Sequence, residues 1–170
     1  MQKLTGWLGL AERFLRDPAF EDRRRFLKSL TLFQDLRFTE LGHLAQCMHS
    51  RVYHEGESLF LQGDVGRALF ILKSGKIELS QMEEEGRPRS ISIIGPGEFF
   101  GEMSILEQLP RSATATAAER SEVLLLYRAQ IDSILHYHPR IGVSVMTRLA
   151  QLLSARLRRA NLALLEKPAS

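Results

Sequence analysis

Apolar positions change their period twice along the chain, from helical to extended and back again. Leu4, Trp7, Leu8, Ala11, Phe14 and Leu15 recur in steps of three and four, which puts one stripe on one side of a helix. Asp17-Pro18 interrupts that pattern, because proline lacks an amide donor and disfavours helical geometry in the residue before it. A second short helix is predicted from about Phe20 to Lys28. Glu21 and Asp22 lie near its start and Arg23, Arg24, Arg25 and Lys28 toward its end, as the helix dipole favours, so the arginine run reads as a solvated face. A third helix is predicted behind a Thr39 cap, with Leu41, Leu44, Ala45 and Met48 on its inner side.

From Arg51 to Tyr127 the texture becomes short alternating or β-branched runs, cut by glycines at 56, 63, 66, 75, 86, 95 and 97. Strands are predicted at Ala68 to Lys73, Lys76 to Met82, Ser90 to Ile94, Ser112 to Ala117 and Glu122 to Tyr127. Ser74-Gly75 suits a tight hairpin between the first two, and Glu83 to Arg87 reads as an exposed hairpin tip. Roughly seven or eight short strands in this span point to a jelly roll. The helical period then returns from about Ala129 to His136. After a break at His138-Pro139 it resumes in the longest helix, Ile141 to about Leu165. The expected fold class is α+β: an antiparallel β jelly-roll barrel with N-terminal helices and a long C-terminal helix. The expected division is a helical segment at 1–32, one domain over 33–165 that includes the terminal helix, and a tail at 166–170.

At 170 residues, 44% of them apolar and 25% charged, the chain fits one packed domain. The formal net charge of +3 is unevenly spread: residues 1–40 carry +2, residues 41–137 carry −4, and residues 138–170 carry +5. The basic excess is terminal, which does not suit a uniformly nucleic-acid-binding body. The longest stretch free of charged residues is the ten residues Leu41 to Ser50, about half of a bilayer span, and no secretory signal pattern opens the chain. A cytoplasmic protein without a membrane segment is expected. Cys47 is the only cysteine, which excludes an intrachain disulfide.

One stretch does not read as strand and turn alone: Gly97-Glu98-Phe99-Phe100-Gly101-Glu102-Met103-Ser104-Ile105-Leu106, followed by Pro110-Arg111-Ser112-Ala113-Thr114-Ala115. Gly101 allows close backbone approach, a single helical turn from Glu102 would present free amides, and Arg111 offers a planar fork for phosphate oxygens. Glu102 repels a phosphate unless it accepts hydrogen bonds, and a sugar hydroxyl meets that need. By spacing alone the pair reads equally as an ordinary ion pair at a loop.

Phe100 to Leu106 with Pro110 to Thr114, including the Glu102-to-Arg111 gap, resembles the phosphate-binding cassette of the cyclic nucleotide-binding domain. The resemblance extends more loosely over about residues 33–160, with the Gly63-Asp64 turn and the Ser74-Gly75 hairpin. It implies that Glu102 accepts the ribose 2′-hydroxyl, that Arg111 binds the exocyclic phosphate oxygens, and that amides of Gly101 and Ala113 complete the cradle. Ser112 falls where members contact phosphate or purine, and serine there leans toward cAMP over cGMP. Ile71, Ile94, Phe100 and Met103 are candidates for the base and ribose pocket and equally for plain core. Arg156 and Arg159 on the terminal helix are candidates to cover the base. Met103 and Ser104 replace the commoner leucine and alanine.

The resemblance implies a non-enzymatic, stand-alone sensor of cyclic nucleotide, cAMP favoured and cGMP possible, which signals through its helices to an unidentified protein effector. His138-Pro139 and Gly142 are its expected hinge, and the leucine stripe of the terminal helix a possible homodimer surface. The alternatives are a transcription regulator acting with a partner and a degenerate scaffold that binds nothing. Only nine residues follow Asn161, so direct specific DNA binding is not expected. A cupin-type metalloenzyme would need histidines in the central strands, whereas His43, His49, His54, His136 and His138 fall outside those predicted, and no metal site or catalytic residue is expected.

Overall fold

The computed structural model describes residues 17–83 and 86–165, so the stripe from Leu4 to Leu15 and the tail 166–170 lie outside the described residues. The chain divides into two compact units: a helical unit of residues up to Ala45 together with those from Ser133, and a β unit, Gln46–Asp132.

In the helical unit, α1 is Pro18–Ser29. It starts two residues before the predicted position, because Asp17 Oδ1 accepts from Ala19 N at 2.9 Å and Pro18 sits in the first turn, where its missing donor costs nothing. The arginines are less solvated than expected. Arg24 pairs with Glu21 at 2.7 Å and lies 3.5 Å over the Phe38 ring, while Arg23 donates to Ala45 O at 2.8 Å. A 3-10 turn, Thr31–Phe33, leads to α2, Phe38–Cys47, whose Leu41, Leu44 and Ala45 are fully buried as predicted. Thr39 is not its cap. Glu40 Oε2 instead accepts from Arg37 N at 2.7 Å, a carboxylate reaching back to the start of the helix.

Among the described residues the β unit holds eight strands: β1 His49–Tyr53, β2 Ser58–Phe60, β3 Ala68–Ser74, β4 Ile77–Met82, β5 Pro88–Ile94, β6 Phe99–Phe100, β7 Thr114–Ala117 and β8 Ser121–Tyr127. They form two four-stranded antiparallel sheets, ordered β1-β8-β3-β6 and β2-β7-β4-β5. The jelly roll is thus a sandwich whose sheets are not joined by strand pairing, rather than a barrel closed by hydrogen bonds. Strand parity decides what enters its core. Ala68, Phe70 and Leu72 meet Ile77, Ile94, Ala115 and Ala117 across the interior, and Leu69 and Ile71 lie on the opposite face of β3. A short helix, α3, Glu102–Glu107, interrupts the strand succession between β6 and β7.

Beyond β8, α4 is Arg128–Tyr137 and α5 is Pro139–Leu165. The break at His138-Pro139 is one residue long, since Ile141 N and Gly142 N both bond to His138 O, at 2.9 and 3.1 Å. Gly142 serves a close approach between these helices, because a Cβ there would lie 2.7 Å from Leu135 Cδ2. Arg148 of α5 pairs with Asp35 and Arg140 with Glu40, both within the helical unit.

The β3–β4 hairpin turns at Gly75, whose φ is +93°, and a Cβ there would meet Ser121 Oγ at 2.3 Å and Arg120 O at 2.6 Å. Gly75→Ala is expected to destabilise the fold by about 2 kcal/mol, read as a lower midpoint in chemical denaturation. An unchanged midpoint contradicts this account of the turn.

Candidate functional site

Arg111 is the centre of the site. Its backbone is pinned on both sides by the turn after β2: Arg111 N donates to Asp64 O at 2.8 Å and Gly63 N donates to Arg111 O at 2.9 Å. Asp64 Oδ2 in turn accepts from Leu61 N at 2.8 Å, an Asx-type closure that sets the turn. From there the side chain runs inward until only 5% of it is exposed.

A buried guanidinium needs partners for its donors. Nη1 donates to Gly101 O at 2.6 Å and to Ser104 Oγ at 3.4 Å, and Nη2 donates to Ala68 O at 2.8 Å. The rings of Phe60 and Phe70 stack beside it, with Cζ 4.2 and 5.2 Å from their centroids. Burial pulls the Arg111 pKa down, while the carboxylates of Asp64 and then Glu102 push it back up. Three of the five N–H donors are used, which leaves two in one plane for an anion.

Gly101 caps α3 in the left-handed region at φ +74°, and a Cβ there would lie 2.5 Å from Arg111 Nη1. No side chain other than hydrogen fits. Glu102, the first residue of α3, is 9% exposed and close enough to Arg111 for its charge to be felt there. A carboxylate in the first helical turn is favoured by the dipole, and its oxygens are acceptors suited to hydroxyl groups. Ser112 is exposed and its Oγ lies 3.7 Å from Sδ of Met103, itself 48% exposed, so these two are surface neighbours. Ala113 is buried where the chain enters β7.

Phe100 is 1% exposed, stacked on Phe70 at 5.2 Å, and Ile94 belongs to the core cluster between the sheets. Ile71 is buried on the far face of β3, and parity puts Phe70 beside Arg111 instead. Arg156 and Arg159 lie on α5 in the helical unit, half-buried and exposed respectively, with Arg159 Nε 3.4 Å from Ala155 O of its own helix. Sequence reasoning missed Phe60, Phe70 and Gly66. Residues 68–72 are apolar throughout, so nothing in the sequence separates Phe70 from its neighbours, and Gly66 carries no signal either. A Cβ on Gly66 would lie 2.1 Å from Ser104 Cβ and 3.1 Å from Arg111 Cζ.

The sequence model of the cyclic nucleotide-binding domain family matches residues 50–138, just over half of the chain and all of this site. The chain belongs to that family. It is 38% identical over 138 residues to the "Cyclic AMP receptor protein" of Thermus thermophilus, covering 81% of this chain and 62% of that protein. It is also 33% identical to a cGMP-dependent protein kinase of Caenorhabditis elegans, over 65% of this chain and 14% of the kinase. Among solved structures, a cyclic nucleotide-binding domain from Methylobacillus flagellatus superposes with a TM-score of 0.78 at 28% identity, over 89% of this chain and 85% of that one. The chain spans 62% of the receptor protein's length and a smaller share of the kinase's, so it is similar to parts of longer proteins. No helix among the described residues is long and apolar enough to cross a membrane.

Gly66→Ala is expected to destabilise the protein by about 1–3 kcal/mol through overpacking against Ser104. Adding Ser104→Gly, which removes the clashing atoms, is expected to recover part of the loss. A double-mutant cycle by chemical denaturation measures this coupling, and additive effects would show that the two residues do not collide.

Proposed function

We propose that this cyclic nucleotide-binding domain is a non-enzymatic cytoplasmic sensor that takes cAMP in preference to cGMP. In this reading Arg111 binds the exocyclic phosphate oxygens through its remaining donors, and Glu102 accepts the ribose 2′-hydroxyl. Gly101 and Ala113 contribute backbone amides. The observation that carries it is the buried guanidinium of Arg111, held in a fixed plane by two carbonyls and two rings with Glu102 nearby. A cation at this burial with donors to spare suits a ligand that brings both negative charge and planar acceptor pairs.

The preference for cAMP rests on the residue type at position 112, a serine, which leans toward cAMP in the resemblance to the family; Ser112 stands exposed beside Met103. Phe100 and Ile94 line the interior that continues from Arg111, and Met103 the surface side. Arg156 and Arg159 are the candidates on α5 for covering the base. Output would pass to a partner protein through α4 and α5, since a ligand that contacts one arrangement of the helices better than another shifts the population toward it. Leu157 and Leu162 of α5 are 62% and 59% exposed, which makes this helix the surface offered to an effector or a second copy.

Calorimetry with cAMP and cGMP tests the reading. Binding of cAMP tighter than cGMP is expected. Arg111→Lys, which keeps the charge and loses the fork, is expected to weaken binding by about 1.4–2.7 kcal/mol, roughly 10- to 100-fold. Glu102→Gln is expected to weaken it less. Unchanged affinity in the lysine variant removes Arg111 from its role, and absence of heat with either nucleotide favours a scaffold that has lost its ligand.

A further inference from the structure

A cavity of about 700 Å³ lies in the β unit on the other side of Gly66 from Arg111, and neither Arg111 nor Glu102 lines it. Its volume is in the range of sites that enclose small organic molecules. Two arginines supply its lining charge, Arg67 and Arg128, with no acidic side chain on the wall among the described residues. Arg67 is exposed and has no ion pair among the described residues, while Arg128 meets Asp132 only at 3.7 Å. The rest of the wall is apolar or aromatic. Tyr127 presents a ring that is 39% exposed and fixed edge-on to His49 at 5.5 Å, and Val65 and Leu109 are 74% and 59% exposed.

The wall is also anchored. Arg128 N donates to Arg67 O at 2.9 Å, and Val65 pairs with Pro110 as an isolated β-bridge. Gln108, which closes α3, lines the cavity in the left-handed region at φ 59°, the one non-glycine residue there among those described. The cavity therefore shares two walls with the Arg111 site: Gly66, packed against Ser104 and Arg111 Cζ, and the end of α3 itself.

We propose that this cavity is a second, effector site for an aromatic organic anion. The charged head lies between Arg67 and Arg128 and the flat body lies against Tyr127, Leu109 and Val65. Arginine is suited to both parts, because its fork matches phosphate or carboxylate oxygens and its plane stacks on rings. An occupant pressing on Gly66 and Gln108 acts on the same backbone that sets Arg111, so its binding and that of the nucleotide are coupled, and coupling of this kind is reciprocal. The coupling rests on the nucleotide reading above; the binding does not.

Phenyl phosphate is the probe, followed by ¹⁵N–¹H NMR of the whole chain, with benzylamine as a cation of the same shape. Saturable shifts at the amides of Gly66, Leu109 and Ala129 are expected with phenyl phosphate and none with benzylamine. Arg67→Glu, an exposed substitution with no ion pair to lose among the described residues, is expected to weaken phenyl phosphate by at least about tenfold at an unchanged thermal midpoint. Shifts confined to Gly101 and Ala113, equal shifts with benzylamine, or an Arg67→Glu variant that binds as well as the parent each overturn the site. A second titration measures cAMP affinity with and without saturating phenyl phosphate, and a change that Arg67→Glu abolishes is expected. Shifts at the cavity with an unaltered cAMP affinity would overturn the effector role and leave the binding site standing. Absence of cAMP binding in both titrations would count against the nucleotide reading and would remove the coupling that rests on it.

Discussion

One buried cation organises the β unit. A guanidinium taken out of water is costly unless its donors are met, and Arg111 meets three of its five with groups from segments far apart in sequence. Ala68 O comes from β3, Gly101 O and Ser104 Oγ from the start of α3, the flanking rings from β2 and β3, and the backbone clamps from the Gly63-Asp64 turn. Each of these segments is therefore held in the position that keeps Arg111 satisfied. Removing any one leaves charge or carbonyl groups unpaired in an interior too dry to hydrate them.

The constraint extends to residues with no polar role. Phe60, Phe70 and Phe100 form a cluster with centroids 5.2 to 6.2 Å apart, which supplies the flat faces beside Arg111 and the core between the sheets together. The glycines at 66 and 101 are the counterpart of that filling. The space that a Cβ would need is already taken at both positions, by Ser104 and the guanidinium at 66 and by the guanidinium and the Phe70 ring at 101. Position 101 adds a left-handed backbone, so two physical reasons converge there, whereas at 66 the reason is close approach alone.

The helical unit is built by a different economy. Its ion pairs, Arg24 with Glu21, Arg148 with Asp35 and Arg140 with Glu40, lie at partly exposed positions where each contributes little by itself. Its fixed points are apolar: the fully buried side of α2, and the approach of α4 and α5 at Leu135 and Gly142. The arginines in the middle of α1 are held by a carbonyl and a ring of α2 and by a carboxylate of α1 itself.

Much of this was legible in the order of residues. Period-2 and period-3.6 patterning is local, so it located α2, the β3–β4 hairpin, the strand before Tyr127 and the long α5, and the cassette stood out because Gly101, Glu102 and Arg111 serve chemistry rather than packing. The failures were of two kinds. β1 was missed because four of its five residues are exposed, which leaves no alternation to read, and the helix starts at Pro18 and Phe38 depended on side chains bonding back to backbone amides. Tertiary structure alone decided which face of β3 meets Arg111, and so chose Phe70 over Ile71. It also decided that Gly66 must stay bare, and that two sheets stack without closing. Those outcomes arise because a residue's neighbours across a sandwich come from strands dozens of positions away, and a one-dimensional pattern carries the period of a strand but not the partner that its face will find.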